Sequence, residues 1–288
     1  MTRYQVVHET LYRYESPVVL SQQLLHLRPR TLARQRLEEH HIAIEPEPAE
    51  TTGREDYFGN PVTQFLLAAP HSTLAVRAES RVEVCPSPQL GISPTWEEVR
   101  DALRQPQGEG IEANQFLFES PHVEFFRELE AYAARYFARG RPVFEAVREL
   151  TRQIHADFKF DPKATSVSTP LREVLAKRRG VCQDFAHFMA GCLRMLGLPA
   201  RYVSGYILTS PPPARPRLVG ADASHAWVAA WCGPAGWVEF DPTNDCVVDD
   251  AHVSLAWGRD FGDVTPMRGV ILGGGEQELE VRVTVTPQ

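Results

Sequence analysis

The fold of this 288-residue chain is decided around one cysteine, in the stretch Arg179-Gly180-Val181-Cys182-Gln183-Asp184. Behind this cysteine, apolar residues recur with the i, i+3, i+4, i+7 spacing of a helix that buries one face. They are Phe185, Phe188, Met189, Cys192, Leu193 and Leu196. The spacing predicts that a helix begins at Cys182. A thiol at a helix start meets unpaired backbone N–H groups, and the cations at 177–179 precede it, so the position favours the nucleophilic thiolate.

Two strand-like segments further along the chain supply partners for a nucleophile. One contains His225 and the other contains Asp241. A turn at Gly233-Pro234 would make these segments neighbouring antiparallel strands and bring base and carboxylate side by side. Alone, His225 could be a structural strand residue, and Asp241, which precedes a proline, could form a turn. Their joint placement after Cys182 predicts a Cys-His-Asp catalytic triad.

Several blocks of the sequence resemble the bacterial transglutaminase-like superfamily, which has a papain-like cysteine fold. In chain order they are GVCQDFAH at 180–187, GLPARYVSGY at 197–206, SHAW at 224–227, DPTN at 241–244, WGRD at 257–260 and DVTP at 263–266. The beginning of the chain, around 10–14 and 27–30, resembles the β-rich region that often precedes such cores. The resemblance implies acyl chemistry on Cys182, with His225 as base and Asp241 as orienter.

The predicted fold class is α+β. We expect an antiparallel β domain at residues 1–88, followed by a papain-like or transglutaminase-like catalytic domain at residues 89–288. Alternating apolar and polar residues over 74–84 indicate a half-buried strand in the first domain. The prolines of 86–98 indicate a linker between the two domains.

Within the second domain we expect a helical part at 95–160 and a core at 161–250, in which the cysteine helix packs on an antiparallel sheet. One helix is predicted to begin at Ser120, as N-cap before a proline, and to end near Gly140. A strand within 263–288 is a candidate to pair with the N-terminal sheet. Proline-rich residues 210–216 either overhang the active site or form a solvated connection.

Charge and composition limit the classes of partner that the protein can bind. A net charge of -7 and a pI near 5.8 argue against nucleic acid or an anionic membrane as the main partner. The chain has no apolar run near the roughly 18 residues of a membrane span and no apolar signal core at its start, which favours the cytoplasm. We expect a peptide or protein substrate. The sequence leaves the oligomeric state open.

The cysteines predict neither disulfides nor a metal centre. There are five, an odd number, and none forms a CxxC pair. Cys182, His225 and Asp241 could in principle hold zinc, but no closely spaced ligand pair such as HExxH accompanies them. We therefore expect an enzyme without a metal or cofactor.

A cysteine nucleophile also needs an oxyanion hole. The backbone N–H of Cys182 is the natural first donor at the helix start. Gln183, Asp184 and Trp227 are secondary candidates, either for this hole or for supporting the triad. His187 is poorly spaced to serve Cys182 directly, and we interpret it as a structural residue or as one that supports the site without contacting the substrate.

These features together predict a cysteine-dependent hydrolase of amide or peptide bonds that acts through an acyl-enzyme. Three alternatives stay open: a protein-glutamine transglutaminase, an acyltransferase that uses a thioester donor, and a non-catalytic binding or assembly protein with a vestigial triad.

Overall fold

The computed structural model describes residues 1–86, 91, 93–208 and 224–288. Its mixture of helices and mainly antiparallel sheets confirms the predicted α+β class. The proline-rich stretch 210–216, for which two roles were left open, lies outside the described residues. In the part of the chain described, no helix has the length and hydrophobicity of a transmembrane segment.

The strands and helices are numbered in chain order. The strands are β1 (Thr2–Leu25), β2 (Gln35–Glu45), β3 (Glu50–Glu55), β4 (Pro61–Leu67), β5 (His71–Val84), β6 (Lys159–Phe160), β7 (Arg179–Gly180), β8 (Ala200–Ile207), β9 (His225–Trp231), β10 (Trp237–Asp241), β11 (Cys246–Val247), β12 (His252–Gly258), β13 (Met267–Gly273) and β14 (Gln277–Pro287). The helices are α1 (Trp96–Ala102), α2 (Glu109–Ala113), α3 (Arg127–Ala133), α4 (Val143–Asp157), α5 (Leu171–Lys177), α6 (Cys182–Met195) and α7 (Phe261–Val264).

The first sheet is organised around the long strand β1. Its strand order is β2-β5-β1-β4-β3, and β13 and β14 also pair with β1. The pairing of β1 is interrupted between Arg13 and Val18, so that the first half of the strand pairs with β5 and β14 and the second half with β4 and β13. Inward-facing side chains alternate with outward ones, as the period of a strand requires. The C-terminal strands therefore complete the sheet that the N-terminal residues begin.

The second sheet carries the predicted site. Its antiparallel order is β11-β10-β9-β8-β12, and α6 packs against β8 and β9. Helix α6 begins at Cys182, as the apolar spacing predicts. The spacing predicted one buried face, but the helix is buried on all sides from Asp184 to Arg194 because α3, α4 and α5 cover its other face. Gly191 allows the close approach, since a Cβ there would lie 2.8 Å from Leu129 of α3.

The prediction that a helix begins at Ser120 is wrong. Ser120 and Val123 instead exchange backbone hydrogen bonds of 3.1 and 2.9 Å across a tight turn. Pro121 occupies position i+1 of that turn, where proline is as favourable as in the first turn of a helix. Helix α3 begins only at Arg127 and ends at Ala133, before Gly140.

Candidate active site

The start of α6 is held by a carboxylate from its own first turn. Asp184 Oδ2 accepts hydrogen bonds from the backbone N–H of Val181 at 2.8 Å and from Thr165 Oγ1 at 2.6 Å. Burial raises the pKa of Asp184, against the opposing effect of these two hydrogen bonds. The carboxylate is thus directed at the turn before the helix, and Cys182 stands half-buried at the helix start.

Asp184 also explains the glycine before the cysteine. A Cβ on Gly180 would lie 2.5 Å from Asp184 Oδ2 and 2.9 Å from its Cβ, which no relaxed structure tolerates. The sequence analysis named Asp184 as a secondary candidate. Its contacts make it a cap that fixes the backbone around Cys182.

The structure brings His225 and Asp241 together. His225 begins β9 and Asp241 ends the neighbouring antiparallel strand β10, so both lie at the same end of the sheet. The distance from His225 Nε2 to Asp241 Oδ2 is 2.8 Å, and both side chains are fully buried. Asp241 Oδ1 accepts the backbone N–H groups of Thr243 at 2.9 Å and Asn244 at 3.2 Å, so the turn after β10 folds around the carboxylate.

The imidazole of His225 is oriented by its Nε2–H···O bond. Nδ1 is therefore the nitrogen left for chemistry, and it is buried without a well-formed hydrogen bond to any described residue. Burial lowers the pKa of His225, but the charges of Asp241 and Cys182, and hydrogen bonding to both, outweigh burial and raise this pKa to about 9. The influence of Cys182 on this pKa shows that its side chain lies near the imidazole.

Two further side chains meet the same carboxylate, and the sequence analysis singled out neither. Asn244 Nδ2 donates to Asp241 Oδ2 at 2.7 Å, and His252 Nε2 lies 3.2 Å from that oxygen. Asn244 belongs to the DPTN block, and a polar side chain three residues after a buried aspartate is a signal for such a bond. His252 is fully buried at the start of the largely buried strand β12, where an imidazole needs a polar partner.

Asp241 is the most strongly constrained ionisable group of the site. Burial raises its pKa, but the charge and hydrogen bond of His225, followed by those of His252, outweigh burial and hold the pKa well below its usual range. The carboxylate therefore stays ionised while the two histidines donate to it.

The remaining candidates lie around this centre. Trp227 is fully buried, and its Nε1–H donates to Glu239 Oε2 at 3.1 Å, so the indole N–H is already engaged. Gln183 follows Cys182 in the first turn of α6 and is half-buried. His187 Nε2 accepts the backbone N–H of Phe261 at 3.0 Å, a contact that ties α6 to the segment after β12.

The donor atoms of His225, Asp241 and His252 lie within 4.8 Å of one another, which raises the question of a metal ion. Zinc ligands at about 2.0–2.1 Å in a tetrahedron stand roughly 3.3 Å apart. The 2.8 Å between His225 Nε2 and Asp241 Oδ2 is shorter and is the length of a charge-assisted hydrogen bond. The three residues thus fit a hydrogen-bonded cluster better than a metal centre.

Comparison with known proteins identifies the family. Residues 4–83 match the model of the bacterial transglutaminase-like N-terminal region, and residues 130–242 match that of the transglutaminase-like superfamily. An uncharacterized protein of Mycobacterium tuberculosis is 39% identical over 291 residues, which cover 99% of this chain and 93% of that protein. The chain belongs to the transglutaminase-like superfamily, as the sequence blocks from 180 to 244 predict.

Two other proteins are similar to all or part of this chain. The crystal structure of a candidate cysteine protease from Cytophaga hutchinsonii superposes with a TM-score of 0.77 at 20% identity, covering 99% of this chain and 90% of that chain. The fold is thus shared over nearly the whole length. A protein-glutamine gamma-glutamyltransferase of Pseudomonas aeruginosa is 32% identical over 123 residues, 36% of this chain and 18% of that protein.

Proposed function

We propose that the protein is a cysteine-dependent hydrolase of amide bonds in peptides or proteins. The observation that carries the proposal is the half-buried thiol of Cys182 at the start of α6, near the imidazole of His225. The buried carboxylate of Asp241 holds that imidazole through a hydrogen bond of 2.8 Å. A thiol beside a histidine that is itself oriented by a third group is the arrangement of an activated nucleophile.

In the proposed reaction, the Cys182 thiolate attacks the carbonyl carbon and a tetrahedral oxyanion forms. His225 Nδ1–H gives its proton to the leaving amine as the C–N bond breaks, which leaves a thioester on Cys182. A water molecule then attacks the thioester and gives its proton to His225, and the C–S bond breaks to release the acid. Asp241 keeps Nε2 protonated throughout and stabilises the imidazolium.

The oxyanion forms next to the start of α6. The backbone N–H of Cys182 belongs to the unpaired first turn of that helix and is the first donor of the proposed hole. The Gln183 side chain is the candidate for a second donor, because the indole N–H of Trp227 is held by Glu239. Asp184 contributes by holding the turn that carries these groups.

Transfer to an amine is the second candidate function. The similarity of the core to a protein-glutamine gamma-glutamyltransferase supports it, because the same acyl-enzyme forms in both reactions. Only the acceptor differs, water in one reaction and a primary amine in the other. A cytoplasmic site of action also belongs to the proposal, since all five cysteines are free thiols.

One experiment separates these functions. The protein is incubated with a library of glutamine-containing peptides, with and without a biotinylated primary amine, and products and the Cys182 adduct are followed by mass spectrometry. We expect cleaved or deamidated peptides, a transient acyl adduct on Cys182, and little incorporated amine. Cys182→Ser should abolish all products, while Cys85→Ser, a half-buried cysteine outside the site, should not. Predominant amine incorporation would instead establish a transglutaminase, and absence of both products and adduct would contradict an enzyme.

A further inference from the structure

Strand β12 delivers a third group to the catalytic carboxylate. His252 is the first residue of β12. In the order β11-β10-β9-β8-β12 this strand is at one edge of the sheet, and β8 and β9 separate it from β10. The starts of β9 and β12 and the ends of β8 and β10 lie at one end of the sheet, where His252 Nε2 comes within 3.2 Å of Asp241 Oδ2.

A glycine in the intervening strand makes the approach possible. Gly205 of β8 pairs with His225 on one side and with Ser254 on the other. The space of its missing side chain is taken by the Trp227 ring and the carbonyl oxygen of Val253. Trp227 in turn meets the His252 ring edge-on, with ring centroids 5.2 Å apart. The start of β12 therefore lies close to His225 and Asp241.

We propose that His252 is a positioning residue, which locks the Asp241 carboxylate in the orientation that His225 requires, and that the N-terminal domain holds His252 in place through Gln35. This inference rests on the proposed function. Asp241 Oδ2 receives His225, Asn244 and His252, so rotation of the carboxylate would break three hydrogen bonds at once. An Asp241 that cannot rotate keeps Nδ1 of His225 directed at the nucleophile.

The surroundings of His252 suit a permanent donor. The charged and titratable groups that face it are Asp241, Asp249, Cys246 and His225. Burial lowers the pKa of His252, but its interactions with Asp241, Asp249 and Cys246 outweigh burial and raise the pKa well above its ordinary value. Asp249 Oδ1 stands 3.5 Å from Nδ1, which is an electrostatic contact rather than a full hydrogen bond.

The N-terminal domain forms hydrogen bonds with β12 at Ser254, two residues after His252. The buried side-chain amide of Gln35 accepts the N–H of Ser254 at 2.7 Å and donates to the Ser254 carbonyl at 2.8 Å. The pairing of β12 with β8 shifts register between Ser254 and Ala256. The side chain of Gln35 therefore bonds to the backbone of β12 where the sheet is irregular. The amide thus fixes the strand that presents His252.

The test compares Cys182 alkylation by iodoacetamide between pH 5 and 9 in wild type, His252→Phe and His252→Gln, read by mass spectrometry of the modified peptide. It needs no substrate. We expect His252→Phe, which keeps the ring but loses the donor, to lower the alkylation rate below pH 7 roughly tenfold, the effect of one charge-assisted hydrogen bond. His252→Gln, which keeps an N–H donor, should stay within about threefold of wild type.

Wild-type rates in His252→Phe, together with slow alkylation in His225→Ala, would overturn the positioning role and leave the proposed function intact. Slow alkylation in the wild type itself would overturn both. Gln35→Glu keeps the bond to the Ser254 N–H and loses the bonds from Nε2 to the carbonyls of Ser254 and Arg30. We therefore expect the alkylation rate below pH 7 to fall, but less than in His252→Phe. If His252→Phe does not fold, the alkylation rate of Cys182 in Gln35→Glu is the test instead, and a wild-type rate in that variant would overturn the inference.

Discussion

The imidazole of His225 and the carboxylate of Asp241 share a hydrogen bond of 2.8 Å between two side chains that are completely withdrawn from solvent. Burial makes this contact strong, because neither group can exchange its partner for water. It also makes the contact indispensable, since an unpaired imidazolium at this position would be left in a medium that solvates it poorly.

Removal of the carboxylate should therefore disable the enzyme. We expect Asp241→Ala to lower kcat/KM roughly 10³- to 10⁴-fold, because His225 loses both its orientation and its countercharge. Asp245→Asn is the matched control, since that carboxylate pairs with Arg148 instead of the site. Steady-state rates with a peptide from the library measure both variants, and an Asp241→Ala enzyme as active as Asp245→Asn would contradict the assigned role.

The pH dependence should carry the signature of His225. Its pKa of about 9 lies above the ordinary 6.5, so the imidazolium persists through neutral pH and is lost as the pH rises through about 9. The leaving amine needs that proton, and kcat/KM should therefore fall on the alkaline side with a midpoint near 9. The same group favours the folded state fully below pH 6.5 and ceases to do so as the pH approaches 9. An alkaline limb near 6.5 would show that the imidazole is not paired.

Gly180 should not tolerate a side chain. In Gly180→Ala the new Cβ would lie 2.5 Å from Asp184 Oδ2, so the cap of α6 must move or break. We expect a loss of about 1–3 kcal/mol in the free energy of unfolding, measured by urea denaturation. Gly53→Ala serves as control, because nothing lies within 4 Å of a Cβ there. Equal stability of the two variants would refute the packing argument.

The salt bridge between Arg34 and Glu239 should couple the segment before β2 energetically to strand β10. Arg34 Nη2 lies 2.7 Å from Glu239 Oε2, and both side chains are mostly buried, at 13% and 15% exposure. Glu239 also accepts a hydrogen bond from the Trp227 indole N–H, and the Trp227 ring contacts His225. The salt bridge therefore helps to hold the indole ring in place. We expect Arg34→Leu and Glu239→Gln each to lower stability by about 1–3 kcal/mol, with the double variant clearly less than additive. Strict additivity in a double-mutant cycle would indicate that the two residues act independently.

Much of the site follows from local sequence, because the information is itself local. The start of α6 at Cys182 depends on apolar spacing within one helix, and a turn of a few residues brings β9 beside β10. The error at Ser120 has a local cause as well, since Ser-Pro suits a turn as well as a helix start.

The contribution of β12 could not be predicted in the same way. His252 reaches Asp241 only because the chain passes to the far edge of the sheet, and Gln35 reaches Ser254 across 219 positions of sequence. Neither contact leaves a periodic pattern. A buried strand predicts apolar neighbours, and it does not indicate which distant carboxylate will satisfy a single histidine.

The most direct test of the central claim is the alkylation rate of Cys182 as a function of pH in wild type, His225→Ala and His41→Ala, an exposed histidine of β2. We predict fast alkylation that persists below pH 7 in wild type and His41→Ala and is lost in His225→Ala, because only a thiolate paired with imidazolium survives at that pH. Identical profiles in all three proteins, each with the midpoint of an ordinary thiol near pH ~8.5, would contradict the account.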